Sequence, residues 1–275
     1  MKRILLVGAF LVVGAGLAAC GDDDARDVLT VQVDGGTMSV SGDPSSGAVD
    51  VEINGDLEAG TEVDFTRVSD GTSAEDFLAG LSSILEGGPF ADFLLSNAGV
   101  AAGGTSTQSV TLEPGSYFVW VETDNDGIVY TQLTVDGDGD DADLPDTDGA
   151  FTTKDYGFTV DAKAGDTYTI VNDGSQFHHV VMFDFGDLDP EIVKENLPAF
   201  FAAEEGDPPP EAFAEVDLAN LDVGGSGVFG PGGSGTFEVT LEEGTTYAVV
   251  CFIQDRTGGP PHAFAHDMYD AFTVT

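Results

Sequence analysis

The side chains of this chain that could hold a soft metal ion are few, and they gather late in it. Four histidines, two cysteines and four methionines occur in 275 residues. His178 and His179 are adjacent within "NDGSQFHHVVMF" (172–183). His262, His266 and Met268 lie in "GPPHAFAHDMYDAFTV" (259–274), after Cys251. Ten residues separate Cys251 from His262, and five separate His262 from Met268. Two imidazoles, one thiolate and a weak axial thioether are the donor set of a blue-copper electron-transfer centre. The soft sulfur ligands suit Cu(I), and imidazole serves both oxidation states. His266 stands two residues from Met268, an awkward spacing for both to reach one ion. The candidate ligands are therefore His179, Cys251, His262 and Met268, with His178 and His266 as alternates.

These donors need a rigid frame, and the surrounding pattern supplies one. In "EEGTTYAVVCF" Tyr247, Val249 and Cys251 share a face by the period of two of a β-strand. The chain is rich in Gly, Asp, Thr and Val, with short β-rich runs broken by turn residues, which points to antiparallel β architecture. Its two halves look like diverged copies. "GAVDVEINGDLEAGTEVDF" (47–65) lies without a gap against "GDTYTIVNDGSQFHHVVMF" (165–183). "VAAGGTSTQSVTLEPGSYFVWV" (100–121) matches "VFGPGGSGTFEVTLEEGTTYAVVC" (228–251) with two single insertions. In the first copy Thr61, Val63 and Phe65 alternate with Glu62 and Asp64, so the first set faces the core. The gapless match carries that register to His179, Val181 and Phe183. The second copy alone does not decide, because His178, Val180 and Met182 are apolar enough to compete. Copy one lacks the donors: Gly60 and Thr61 stand against the two histidines, and Val121 against Cys251. Each copy carries a helical insert. Ser73 caps one, in "TSAEDFLAGLSSIL" (72–85), and Asp189 with Pro190 opens the other, in "DPEIVKENLPAFFAA" (189–203).

The formal net charge is −42. After Lys2 and Arg3 only Arg26, Arg67, Lys154, Lys163, Lys194 and Arg256 are basic. Such a surface repels nucleic acid and anionic lipid and favours cationic partners at low salt. It also suits a salty medium, where self-repulsion is screened. The acidic run "DGDGDDADLPDTDG" (136–149) reads as an extended linker. Asp136, Asp138 and Asp140 stand where an EF-hand would start, but Asp141 takes the place of the turn glycine and Thr147 that of the bidentate glutamate. At the N-terminus, Lys2 and Arg3 precede an apolar run, Ile4–Ala19, with the pattern of a secretory signal. With Cys20 set aside, Cys251 is the lone cysteine of the folded part, so no intramolecular disulfide is expected.

Two resemblances sharpen this reading. The stretch 172–183, the "GTTYAVVC" of 244–251 with its tyrosine four residues before the cysteine, and the "H…MYDAFTV" ending together resemble the cupredoxin, or plastocyanin-like, family. The likeness covers roughly 151–275 and, more faintly, 28–135. The Cys251–His262 spacing is longer than the few residues usual in that family. The family's loop histidine often follows proline, which favours His262 over His266. The resemblance implies two tandem cupredoxin-like Greek-key β-sandwiches, all-β, each with a short helical insert, and one copper ion in the second. "LAACG" resembles the lipobox of bacterial lipoproteins, which implies cleavage before Cys20 and lipidation of that residue.

The expected organisation is then a signal over 1–19, a tether over 20–27, a metal-free cupredoxin-like domain over 28–135, the linker over 136–149 and a copper domain over 150–275. The expected role is electron transfer or copper handling at the extracytoplasmic face of a bacterial membrane. A cationic redox or protein partner would suit it, and nucleic acid would not. The alternative is a metal-free surface-binding module of the same fold. Four histidines are too few for the extra sites of a multicopper enzyme, and no Ser/His/Asp or Cys/His order fits a hydrolase, so no enzymatic activity is expected.

Overall fold

The computed structural model describes residues 26–34, 36–55, 57–104, 107–123, 127–137, 142–203, 208–218 and 221–275. The signal sequence and Cys20 lie outside the described residues.

The chain is all-β, built as sandwiches. Eight strands form the first half: β1 (Asp27–Asp34), β2 (Thr37–Ser41), β3 (Gly47–Gly55), β4 (Glu62–Val68), β5 (Leu94–Ala101), β6 (Gln108–Leu112), β7 (Gly115–Thr123) and β8 (Gly127–Val135). Eight more follow: β9 (Gly149–Lys154), β10 (Gly157–Ala162), β11 (Gly165–Asn172), β12 (Val181–Asp184), β13 (Asp222–Gly225), β14 (Ser234–Leu241), β15 (Thr246–Val250) and β16 (Tyr269–Thr273). The helices are α1 (Ala74–Leu85), α2 (Pro190–Ala202) and the single turn α3 (His262–Ala265).

One eight-stranded sheet runs through both halves in the order β10-β9-β11-β14-β6-β3-β1-β2. The order is the same read outward from its centre in either direction. Each half adds its own four-stranded sheet, β5-β4-β7-β8 or β13-β12-β15-β16. A single apolar core fills the space between, from Leu29, Val31 and Phe65 in one half to Tyr168, Met182 and Val249 in the other. Alternation explains it locally: Leu29, Val31 and Val33 of β1 point inward and are buried, while the residues between them are more exposed. A tyrosine ties the same turn in both halves. Tyr117 donates its hydroxyl to the Glu113 carbonyl and accepts the Glu113 N–H, and the Tyr247 hydroxyl accepts from the Glu242 N–H.

The inserts are helices with the expected starts. The Ser73 hydroxyl accepts from the Asp76 N–H, and Asp189 accepts from the Glu191 N–H. Helix α1 presses Phe77 and Leu81 onto Val68, Leu94 and Phe118, with Phe77 stacked on Phe118 at 4.1 Å. Helix α2 buries Val193 and Leu197 in a second cluster with Phe185 and Phe213. The described ends of the acidic stretch are pinned to the sandwich. The Ala142 carbonyl accepts from the Ala48 N–H, and the Asp148 carboxylate accepts from the N–H groups of Asp166 and Thr167.

The register carried over from the first copy fails by one residue, for a visible reason. Gly47 pairs with Leu112, and Gly165 with Leu241, as the repeat requires. An irregularity between Gly165 and Thr167 then shifts β11 against β14, so that Thr167 faces Glu238. In the first half Asp50 faces Ser109. From that point the second copy runs one residue ahead of the gapless match. Phe65 faces Val119 and Met182 faces Val249, so Met182, Val180 and His178 are the counterparts of Phe65, Val63 and Thr61. A one-residue slip exchanges the two faces of a strand. Val180 and Met182 are fully buried, and the inward histidine is His178.

The halves are joined by more than the core. Gly235 of β14 pairs with Val110 of β6, Ser109 N–H donates to the Thr236 hydroxyl, and Thr111 exchanges hydrogen bonds with Ser234. Shared sheet and shared core make one cooperative unit. Calorimetry on the full chain is expected to give a single unfolding transition, and a fragment starting at residue 150 to give none. Two resolved transitions would mean that the halves fold apart.

Candidate metal centre

Three buried donors meet at the end of β15. The Cys251 sulfur lies 3.7 Å from His178 Nδ1 and 3.6 Å from His262 Nδ1. The three ligand atoms all fall within 4.8 Å of one another, and none of the three residues is exposed. Cys251 continues the face of Tyr247 and Val249, as the period of two predicts, and it is a free thiol.

His178 is set from both sides. Its N–H donates to the Phe229 carbonyl at 2.9 Å, and its carbonyl accepts from the Phe229 N–H at 2.7 Å. The loop before it is folded around the buried Asn172. That amide donates to the carbonyls of Gln176 and Phe229, both at 2.8 Å, and accepts from the Gly174 N–H at 2.9 Å. Gly174 lies against the imidazole. A β-carbon there would come within 2.8 Å of the Asp155 nitrogen and 3.2 Å of His178 Nε2.

His262 returns to the cysteine because the long loop is a folded hairpin. Gln254 bridges Pro261, the His262 N–H donates to the Ile253 carbonyl at 2.8 Å, and the Ala263 N–H donates to the Cys251 carbonyl at 2.9 Å. The first half braces this hairpin. Gln254 Nε2 donates to the Gly88 carbonyl, Arg256 Nη2 to the Leu94 carbonyl, and the Phe90 N–H to the Arg256 carbonyl. The ten intervening residues are thus taken up in contacts with the other half.

Each candidate has a definite place. Met268 is fully buried at the same corner. Its carbonyl accepts from the Cys251 N–H at 3.1 Å, and its N–H donates to the His262 carbonyl at 3.2 Å. His179 is turned to the other face and does not join the cluster; its Nε2 accepts from the Phe252 N–H at 2.8 Å. His266 sits outside it too, stacked on Tyr156 at 3.6 Å and bonded through Nε2 to Asp255 at 2.8 Å. The inward role expected of His179 therefore belongs to His178.

Sequence reasoning passed over Asp255, Tyr156 and Asn172. Asp255 accepts from the Tyr156 hydroxyl at 2.8 Å and lies 3.5 Å from His262 Nε2. Its carboxylate thus faces the outer nitrogen of His262 and favours a proton there, leaving Nδ1 bare toward Cys251. Its position four residues after the cysteine in a Gly/Pro loop was the only clue. Asn172, in an N-D-G turn, read as ordinary turn chemistry.

The electrostatics keep the centre uncharged without an ion. Burial, with the other histidines adding to it, pushes His178 down to about 3. Burial likewise lowers His179 to about 4, and it lowers His262 against the pull of Asp255. Burial pushes the Cys251 thiol up to about 11. At neutral pH the cluster is two neutral imidazoles and a thiol.

The donor set and its spacing fit a metal. Bonds of about 2.3 Å to sulfur and 2.0–2.1 Å to imidazole, at about 110–120°, place sulfur and nitrogen about 3.6–3.8 Å apart. The observed separations are 3.6 and 3.7 Å. His178 Nε2 has no hydrogen-bond partner, and His262 Nε2 has only the Asp255 carboxylate, at 3.5 Å.

Neither a protein-family model nor a curated protein matches the sequence. Among solved structures, the chain matches dithionite-reduced auracyanin from the photosynthetic bacterium Roseiflexus castenholzii. The identity is 22%, over 46% of this chain and 94% of that one, with a TM-score of 0.26. It also matches a copper-containing nitrite reductase from Thermus scotoductus SA-01. There the identity is 10%, over 90% of this chain and 61% of that one, with a TM-score of 0.20. The chain therefore spans about three fifths of the length of that reductase. The exclusion of enzymatic activity, drawn from the histidine count, is corrected here: a matched chain is itself an enzyme.

Asn172 generates a prediction. Replacing it with alanine leaves the Gln176 carbonyl and the Gly174 N–H without these partners and removes one of the two hydrogen bonds at the Phe229 carbonyl, beside His178. The expected loss is about 3 kcal/mol of stability, at about 1–3 kcal/mol for each buried group left unpaired. Denaturant unfolding measures it, and a loss under about 1 kcal/mol would deny the loop its anchoring role.

Proposed function

We propose that this protein is a cupredoxin-like copper protein that carries single electrons or handles copper, held at a membrane surface through lipidated Cys20. One observation carries the metal assignment: two imidazole Nδ1 atoms aimed at one buried thiol, at 3.6 and 3.7 Å. His178, Cys251 and His262 would hold the ion, with Met268 as the weak fourth donor. Copper bound there supplies one-electron redox chemistry between Cu(I) and Cu(II). The protein's own part is to keep the donors fixed and dry. Cys251 is tied through both its N–H and its carbonyl, to Met268 and Ala263. His178 is tied in the same way to Phe229. All three donor residues are fully buried. Anchoring at Cys20 rests on the "LAACG" ending. Among the described residues no helix is long and apolar enough to cross a membrane.

Adding Cu(II) to the full chain is expected to produce an intense visible thiolate-to-copper band. Cys251→Ser and His178→Gln should abolish it, and His179→Gln should keep it. Unaltered binding in Cys251→Ser would sink the assignment. Loss of the band in His179→Gln with retention in His178→Gln would return the role to His179.

The sign of the pH dependence follows from the directions above. Burial holds His178 near 3 and lowers His262 from its ordinary value, so between about pH 7 and pH 9 both are neutral and ready to bind. The thiol, near 11, is protonated throughout that range and must lose its proton to the ion. Apparent affinity should rise about tenfold per pH unit, with one proton released per ion. Competition with a chelator of known pH behaviour measures it. A flat profile would mean that sulfur does not bind as thiolate.

A further inference from the structure

The two halves enclose a cavity that the metal centre does not use. It measures about 380 Å³. Ile84, Phe90 and Trp120 of the first half and Phe177 and Phe252 of the second form apolar walls. At one end stand two carboxylic acids, Glu62 and Asp64, alternate residues on the outer face of β4. Helix α1 and the loop after Cys251 line the cavity over that face, so Asp64 is buried and Glu62 half-buried. Asp64 is 5% exposed.

The acids are held in place. Asn97 donates to Asp64 at 2.5 Å, and the Val228 N–H donates to Glu62 at 2.5 Å. Asn97 is fixed in turn, since its amide also donates to the Val228 carbonyl at 2.8 Å. The Glu62 carboxylate lies over the bare backbone of Gly99, where a β-carbon would sit 1.9 Å from its oxygen. Burial raises both carboxyls, and for Asp64 the neighbouring Glu62 adds to it. Among the described residues, neither forms an ion pair with lysine, arginine or histidine.

An acid pair at the end of an apolar cavity, without a cation, is costly to bury. Apolar walls with a few convergent polar groups also make the general form of a small-molecule site. We propose that this cavity binds a small organic cation, a primary ammonium group on an aromatic or branched hydrocarbon body. The ammonium sits between Glu62 and Asp64 and donates to their free oxygens. The body lies against Trp120 and Phe252. An ammonium suits this end better than a neutral alcohol, because it supplies both a charge and enough donors for two acceptors. The strongly negative chain draws such cations toward it at low salt. The inference stands apart from the copper assignment, although Phe252 adjoins Cys251 in sequence.

Trp120 is the one tryptophan in the chain, so its fluorescence reports on the cavity. The test titrates 2-phenylethylammonium into the full chain, both metal-free and after copper addition, with 2-phenylethanol as the neutral control. The ammonium is expected to give a saturable change in either form, and the alcohol to bind at least about tenfold more weakly, as loss of a charge-assisted hydrogen bond implies. Glu62→Gln and Asp64→Asn should each weaken the ammonium about tenfold and leave the alcohol unchanged. Ile84→Phe, which fills the cavity near its mouth, should weaken both ligands. Thermal melts and circular dichroism confirm that each variant is folded. No saturable change up to about 10 mM, the range of very weak binding, would overturn the proposal. So would equal affinity for ammonium and alcohol, or unchanged ammonium binding in the folded Glu62→Gln/Asp64→Asn variant.

Discussion

The segment Val228–Gly230 pairs on both sides, and both sites depend on it. On one side Phe229 exchanges two backbone hydrogen bonds with His178. On the other, the Gly99 N–H donates to the Val228 carbonyl and the Gly230 N–H to the Asn97 carbonyl. This short extended piece therefore links the entry to β12 in the second half with β5 in the first. Phe229 is fully buried between them. The same Val228 anchors Glu62 through its N–H. Close approach requires bare backbone here, because a β-carbon on Gly227 would meet the backbone of Gly99 at 2.5 Å. A glycine-rich stretch that reads as loose loop is in fact the joint of the molecule.

The half without donors takes on a positive role in this light. It lacks histidine and cysteine among its described residues, yet it holds the loop that brings His262 to Cys251. Gly88, Leu94 and Phe90 bond that loop at Gln254 and Arg256. Ordering ten loop residues costs conformational entropy at about 1–2 kcal/mol per residue. Contacts with a second folded unit offset that cost, whereas a free loop would have to meet it with its own turns. The long loop between Cys251 and His262 and a first half without these donors are therefore two sides of one arrangement.

Much of this was legible in the sequence, and the exceptions share a cause. Short alternating runs identify the strands, and Ser73 and Asp189 mark the helix starts, because these signals are local. The inward place of Cys251 follows from Tyr247 and Val249 in the same way. The choice between His178 and His179 did not follow, because it hangs on one irregularity between Gly165 and Thr167, thirteen residues upstream. A gapless match of two copies cannot register a residue that one strand skips. The burial of Glu62 and Asp64 was hidden too. Alternation shows that they oppose Val63 and Phe65, but part of what covers their face, the loop after Cys251, lies more than a hundred positions away.

The neutrality of the metal-free centre bears on how the fold tolerates it. Three donors buried together would be a liability if charged, because isolated charges in an apolar interior are heavily penalised. With the thiol pushed up and the imidazoles pushed down, the empty cluster carries no charge and can stay closed. The backbone ties to Phe229, Ala263 and Met268 fix the three donors within the folded sandwich. The acid pair under α1 follows the same logic with the opposite chemistry. Burial raises both carboxyls there, and their oxygens are what a cation would meet.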